Sequence, residues 1–201
     1  MKFFYINLTK RPERRDLFEK NWSKFGNTVR VDAIDMSSNK EGTMGCYLSH
    51  KKAFTDIYQS HKIAPEINII CEDDAVPCND FPDRMKKTLS DIPLDWDILM
   101  LGCSITKNSQ WSEINPLLCK AKKFVLAGHC YVVNPSFHDK MLDLHNRGFA
   151  SFDIMLMYLQ EHHNVYFANP SMAYQYDSFS DNSNRIVGNT HFTETFFKDK
   201  L

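Results

Sequence analysis

Residues 67–76 read INIICEDDAV. Ile67 to Cys71 is a short apolar run with the length and β-branched content of a buried strand. It leads directly into Glu72, Asp73 and Asp74, so three acids sit at a strand's carboxyl end. Open α/β sheets bind ligands in the crevice beyond those ends, and this placement makes the acids a candidate site. Adjacent carboxylates repel, and leaving three together after an apolar strand costs stability unless a cation or hydrogen-bond donors compensate. Magnesium or manganese, which prefer hard oxygen ligands and bind through one or two carboxylates plus substrate phosphates, suit such a group. In extended backbone Glu72 and Asp74 point to one side and Asp73 to the other. The competing reading is a solvated acidic turn that caps the next element.

On both sides of this stretch short β-rich runs alternate with amphipathic helices, the pattern of an α/β domain whose helices flank a mostly parallel central sheet. Phe3 to Leu8 reads as the first strand. Pro12 opens a helix with Leu17, Phe18, Trp22 and Phe25 as its apolar side and Gly26 as its stop. Val29 to Ala33 is a second strand, Ser37 to Gly42 a polar loop, and a helix runs from near Thr43 to near Ser60. Further along come a helix over 81–89, a strand over 98–101 and a polar loop from Ser104 to Pro116. One or two strands follow within 124–133, and Asn134-Pro135 signals a helix start. Ser151 caps a helix over 152–160, and 165–168 forms the last strand. From Tyr174 onward the chain reads as irregular, either a lid over the substrate or loosely ordered.

With 201 residues, 43% hydrophobic and 24% charged, the chain fits one domain with one core, either complete or as part of a longer protein. Its 24 basic and 25 acidic side chains give a net charge of -1, which provides no global attraction to nucleic acid or an anionic membrane. The apolar run at the amino terminus is too short for a signal peptide, and no stretch approaches the roughly 20 apolar residues of a membrane span, so a cytoplasmic location is expected. The six cysteines contain no CxxC and read as free thiols. The eight histidines show no HExxH or other zinc spacing, which argues against a zinc enzyme.

Seven blocks occur in order: INLTKRPERR (6–15), GTMGCYLSHKKAF (42–54), INIICEDDAV (67–76), DWDILMLG (95–102), AGHCYVVNP (127–135), FDIMLMYL (152–159) and ANPSMAYQYDS (168–178). Together they resemble glycosyltransferase family 25, which includes bacterial lipooligosaccharide sugar transferases and collagen-modifying galactosyltransferase domains. The resemblance implies a GT-A type fold, a nucleoside-diphosphate sugar donor (a UDP-sugar first), a glycan or glycoprotein acceptor, and inversion at the anomeric carbon. It implies Asp74 as a direct ligand of Mn²⁺ or Mg²⁺, with Glu72 and Asp73 helping to hold metal or nucleotide, and places Ser49 and His50 near the donor. Gln175, Asp177 and His191 are available late in the chain as a further donor or metal contact, and Gln175, in the PxxAxQ-like block, ranks above His191.

Inverting transfer requires a base for the acceptor hydroxyl, and Asp153 is the candidate, although the helix dipole alone also favours an acid in a first turn. Arg11, Arg14 and Arg15 follow the first strand, where guanidinium forks would match a diphosphate or simply form a solvated helix face. Asn7, at that strand's end, is a candidate nucleotide contact. Ser49 and His50 read equally as structural mid-helix groups. Gly45 and Gly128 permit close backbone approach to donor or acceptor, or serve only as flexible positions. Trp96 and Trp111 would stack on a sugar or pack in the core. Two rival functions stand beside the transferase: a nucleotidyltransferase that makes nucleotide-sugars, disfavoured because LTKRPERR replaces a glycine-rich phosphate loop, and a non-catalytic sugar-binding module.

Overall fold

Alternation in the first strand sorts its side chains onto two buried faces. In β1 (Lys2–Asn7), Phe3 and Tyr5 join one apolar cluster while Phe4 and Ile6 join another. A strand that is apolar on both sides needs cover above and below. β3 (Asn68–Glu72) repeats the pattern, with Ile69 and Cys71 on one side and Ile70 on the other. The first face is covered by α1 (Pro12–Trp22) and α3 (Phe81–Asp91), through Phe18, Trp22, Phe81 and Met85. The second is covered by α2 (Gly42–Ile63), α4 (His138–Arg147) and α5 (Phe152–His162), through Phe54, Leu144 and Leu156 among others. This computed structural model describes residues 1–36, 41–63, 66–176, 178–180 and 185–187.

The remaining strands of the sheet are β2 (Asn27–Asp32), β5 (Ile98–Ser104), β6 (Gln110–Asn115), β7 (Leu118–Lys123), β8 (Leu126–Val133) and β9 (Val165–Ala168). Their order across the sheet is β2-β1-β3-β8-β5-β9-β7-β6. β1 runs parallel to β2 and β3, and β5 runs parallel to β9, while β8 and β7 are reversed against their neighbours. Most strands therefore share one direction, and the carboxyl ends of β1 and β3 open on the same edge. Short β4 (Ala75–Pro77) leaves that edge and pairs antiparallel with β10 (Ala173–Gln175). β11 (Ser178–Ser180) and β12 (Arg185–Val187) form a separate hairpin.

Local chemistry explains the element ends near the site. Trp22 donates its indole N–H to the Ala75 carbonyl at 2.8 Å, so the end of α1 is tied to β4. Ser151 Oγ accepts from the Ile154 N–H at 3.1 Å, which caps α5 and satisfies one of its orphan donors. Asn134 Oδ1 accepts from the Ser136 N–H at 3.1 Å, and Pro135 opens a short 3-10 turn that runs into α4.

One expectation is overturned. The polar segment from Ser104 to Pro116 is not a loop throughout, since 110–115 forms β6, the sheet's edge, in a hairpin with β7. Its solvent-facing side chains are polar because an edge strand is half covered, and that hid its strand character. The described part of the tail is more regular than expected too, since it supplies β10, β11 and β12. Residues 37–40 of the expected loop, and Asp177 and His191 in the tail, lie outside the described residues.

Candidate active site

The three acids divide their partners. Asp73 turns toward α1, where Asn7 Nδ2 donates to its Oδ2 at 2.7 Å and Arg14 Nη1 to its Oδ1 at 2.8 Å. Asn7 is held in turn by the Arg11 carbonyl, which accepts from its Nδ2 at 3.0 Å, and by Arg30 Nε, which donates to its Oδ1 at 3.0 Å. Glu72 and Asp74 meet on the other side. Gln175 Nε2 donates to Glu72 Oε2 at 2.9 Å and to Asp74 Oδ1 at 3.2 Å, so both carboxylates converge on a single nitrogen delivered by β10.

Charge in this cluster is unbalanced. Arg14 approaches Asp74 Oδ2 at 3.5 Å as well as Asp73, so a single guanidinium is shared between two of the three acids. Burial, reinforced by the charge of Glu72 and only partly offset by Arg14, pushes the Asp74 carboxyl up to about 6. Burial raises Glu72 and Asp73 as well, with Asp73 adding to the first and Asp74 to the second. Arg14 moves the opposite way: burial opposes its charge, but Asp73 and Asp74 outweigh that cost and raise its pKa. A site whose carboxylates all favour protonation is one that a further cation would relieve.

The donor set suits a hard cation. Glu72 and Asp74 offer carboxylate oxygens around one point, and a half-turn of the Gln175 amide would replace its nitrogen there with a carbonyl oxygen. Magnesium or manganese would be held by those three residues, with substrate oxygens and water completing the shell.

The remaining candidates sit around this point in different ways. His50, buried on α2, places Nε2 3.3 Å from Glu72 Oε1 and Nδ1 3.2 Å from the Tyr131 hydroxyl, and its ring stacks on Phe152 with centroids 3.8 Å apart. Asp153 follows Phe152 in the exposed first turn of α5, and its Oδ1 accepts from the Ala127 N–H at 3.0 Å. Ala127 holds a φ of 51°, a left-handed conformation that an L-residue adopts at a cost, as is common where function dictates local geometry. The charge of Asp153 is felt at Glu72, where it raises the carboxyl further, so Asp153 belongs to the same electrostatic neighbourhood as the acids.

Ser49 lies apart from that grouping. Its hydroxyl donates to the Gly45 carbonyl at 2.7 Å and accepts from the Ile34 N–H at 2.8 Å, fastening α2 to the end of β2. Gly128 is buried against α5, where a Cβ would lie 3.1 Å from the Phe152 ring and 3.2 Å from Leu156. Arg11 sits at the start of α1, with Nε 2.6 Å from Glu13 Oε1. Arg15 is bonded to Asp16 on the exposed side of that helix. Trp111 packs edge-on against Phe167, their ring centroids 6.3 Å apart. A separate polar groove lined by Asp97, Lys120, Gln160 and His163 lies at the opposite end of the sheet, away from the acids.

Two residues that sequence reasoning passed over also shape the site. His129 faces the Ala127 carbonyl at 2.9 Å and the Ala173 carbonyl at 3.1 Å, clasping β8 to β10 and so positioning Gln175. Gly102 on β5 makes this possible, because a side chain there would collide with the His129 ring and the Ala173 carbonyl. Tyr131, the second of the two, orients His50. The only sequence signal for His129 and Tyr131 was their place in AGHCYVVNP, two residues apart on one face of a strand.

Acids at the tip of a sheet strand are gathered under helices with Asn, Arg, His and Gln groups, and the fold is shared with glycosyltransferases. The chain belongs to glycosyltransferase family 25: the family model described as "Glycosyltransferase family 25 (LPS biosynthesis protein)" matches residues 40–152, more than half of it. Asn7, Arg11, Arg14, Asp153 and Gln175 fall outside that matched stretch. Among solved structures, the chain is similar to a glycosyltransferase involved in the glycosylation of the major capsid of PBCV-1, at 11% identity and a TM-score of 0.51, covering 84% of this chain and 81% of that one. It also aligns with mannose-1-phosphate geranyltransferase from Thermus thermophilus at 7% identity and a TM-score of 0.47, covering 92% of this chain and 59% of that one. A search of curated proteins gives no match. No helix among the described residues is long and apolar enough to cross a membrane.

Proposed function

We propose that this glycosyltransferase is a GT-A type, inverting enzyme that moves a sugar from a nucleoside-diphosphate sugar, a UDP-sugar in the first place, to a hydroxyl of a glycan or glycoprotein. The observation that carries the reading is the convergence of Glu72 and Asp74 on Gln175 Nε2, beside an Asp73 already neutralised by Asn7 and Arg14. Two carboxylates that meet at a strand end make a cation-binding pair, and an anionic diphosphate completes what they begin.

When bound there, Mn²⁺ or Mg²⁺ would offset the charge that builds on the departing nucleoside diphosphate. Asp74, Glu72 and Gln175 would hold the metal. Asp73 fixes Arg14 beside the end of β1, where its guanidinium would face the diphosphate with Arg11 one turn earlier, and Asn7 braces Asp73 from behind. Asp153 Oδ1 is spent on Ala127, leaving Oδ2 to take the proton from the acceptor hydroxyl as it attacks the anomeric carbon from the face opposite the leaving group. His50 and Gly128 frame the wall between metal and base through Phe152, and Ser49 secures the helix that carries His50.

The test is a panel of nucleotide-sugars screened by thermal shift with and without Mn²⁺. A donor at 100 times its dissociation constant adds about 2.7 kcal/mol of stability. The reading expects one donor class to stabilise the protein only with metal, and Asp74→Ala to abolish both the shift and metal-stimulated donor turnover. Glycan binding with no metal-dependent nucleotide release would replace the transferase with a passive sugar-binding module.

A further inference from the structure

Glu72 has two faces. Its Oε2 belongs to the Gln175 and Asp74 side, whereas its Oε1 faces His50 Nε2 at 3.3 Å. On that second face a thiol is waiting. Cys46 lies one helical turn before His50 on α2, so the i and i+4 side chains project to the same side. One ligand atom each from Cys46, His50 and Glu72 lies within 4.8 Å of the other two. We infer that Cys46, His50 and Glu72 form a binding site for a thiophilic divalent cation, Zn²⁺ in particular, separate from the oxygen-lined site on the other face of Glu72.

The chemistry of the donors selects the ion. A thiolate, an imidazole and a carboxylate are a borderline-soft set of the kind that zinc takes with three protein ligands and one open position, and magnesium and manganese avoid sulfur. Tetrahedral zinc requires ligand atoms about 3.3–3.6 Å apart. The His50 and Glu72 atoms are already that close, and only Cys46 must approach further.

The surroundings prepare the histidine. In its Nδ1–H tautomer the ring donates to the Tyr131 hydroxyl, 3.2 Å away, and Nε2 then aims its lone pair at Glu72. Stacking on Phe152 at 3.8 Å, with the two rings parallel, prevents the imidazole from turning away. Nitrogen and oxygen facing each other at 3.3 Å need one cation between them, a proton or a metal. On binding, the metal takes the place of the proton between Nε2 and Glu72, the neutral ring carries its proton on Nδ1 toward Tyr131, and the thiol proton leaves to solvent.

Because the two cation sites share one carboxylate, zinc on the Cys46 face draws Glu72 away from Gln175 and Asp74. The site itself does not depend on the transferase reading. Its test uses Co²⁺ and Zn²⁺ alone, without any sugar nucleotide. Cobalt titration is expected to give a near-ultraviolet thiolate-to-cobalt charge-transfer band at one equivalent, which Zn²⁺ bleaches. Cys46→Ser removes the band and weakens zinc binding by about 100-fold or more, whereas Tyr131→Phe, which only loosens the imidazole, costs about 10-fold. Asp74→Asn, a change confined to the oxygen-lined site, leaves the band in place. Zinc also protects Cys46 from alkylation, a readout that needs no variant. Absence of the band in the wild-type protein, its persistence in Cys46→Ser, or unprotected alkylation in saturating zinc would each overturn the proposal.

Discussion

Arg14 Nη1 stands 2.8 Å from Asp73 Oδ1, and the two side chains are only 11% and 9% exposed. A charge pair this deep is weak evidence of net stabilisation, but removing one partner strands the other, which costs about 3–5 kcal/mol. Arg14→Ala is therefore expected to destabilise the protein by about that much in urea unfolding. The double variant Arg14→Ala/Asp73→Ala should lose less than the sum of the two single losses, because the Asp73 charge stranded by Arg14→Ala alone is gone and only Asp74 is left without the guanidinium. Additive losses would mean that the pair does not act as a unit.

Asp153 has one carboxylate oxygen committed to Ala127 and the other available for chemistry. Asp153→Asn keeps an oxygen for the Ala127 N–H but cannot accept a proton. Turnover is expected to fall by about 10²–10⁴-fold, with donor affinity measured by calorimetry unchanged. Near-normal turnover in Asp153→Asn would remove it from the role of base.

The elements carrying these residues were legible wherever local chemistry decides structure. β1 and β3 are apolar on consecutive residues because both faces are covered, and Ser151 announces α5 because a hydroxyl at that position satisfies an orphan N–H. The acid cluster was legible from its place after a strand. Its division of labour was not, since Asp73 is claimed by Arg14, 59 residues earlier, and Glu72 and Asp74 by Gln175, 103 and 101 residues later. The β6 hairpin escaped because an edge strand facing water has no apolar face to read. Cys46 and His50 stand four residues apart on one helix, but their carboxylate partner comes from another element, so no sequence spacing reports the cluster.

Gly128 separates two readings of a glycine near the site. A Cβ there would meet Phe152 at 3.1 Å and Leu156 at 3.2 Å, tighter than ordinary contact, in a packed helix-on-sheet interface. Gly128→Ala is expected to cost about 1–3 kcal/mol in thermal or urea unfolding, as overpacking does, with donor affinity maintained. Lost donor affinity at unchanged stability would instead place the donor against this glycine.

His145 gives the clearest pH dependence. Its ring is buried on α4 near Tyr47 and Phe54, and neither ring nitrogen has a hydrogen-bond partner among the described residues. Burial, with smaller contributions from the charges of His50 and Lys51, pushes its pKa down to about 3. Between that value and the ordinary 6.5 the unfolded chain binds a proton that the folded protein refuses, so stability rises with pH through this window. The contribution is complete above about pH 6.5 and is lost as the pH falls toward 3. His145→Phe keeps a flat ring of similar size without the titration. From about pH 7 to about pH 4.5 the wild type should lose about 2–3 kcal/mol more unfolding free energy than the variant, measured by urea denaturation at each pH. His50, depressed to about 3, acts in the same direction in both proteins, and Asp74, raised to about 6, acts in the opposite direction in both, so the comparison cancels them. Parallel stability curves would mean that His145 takes up its proton in the folded protein as readily as in the unfolded chain.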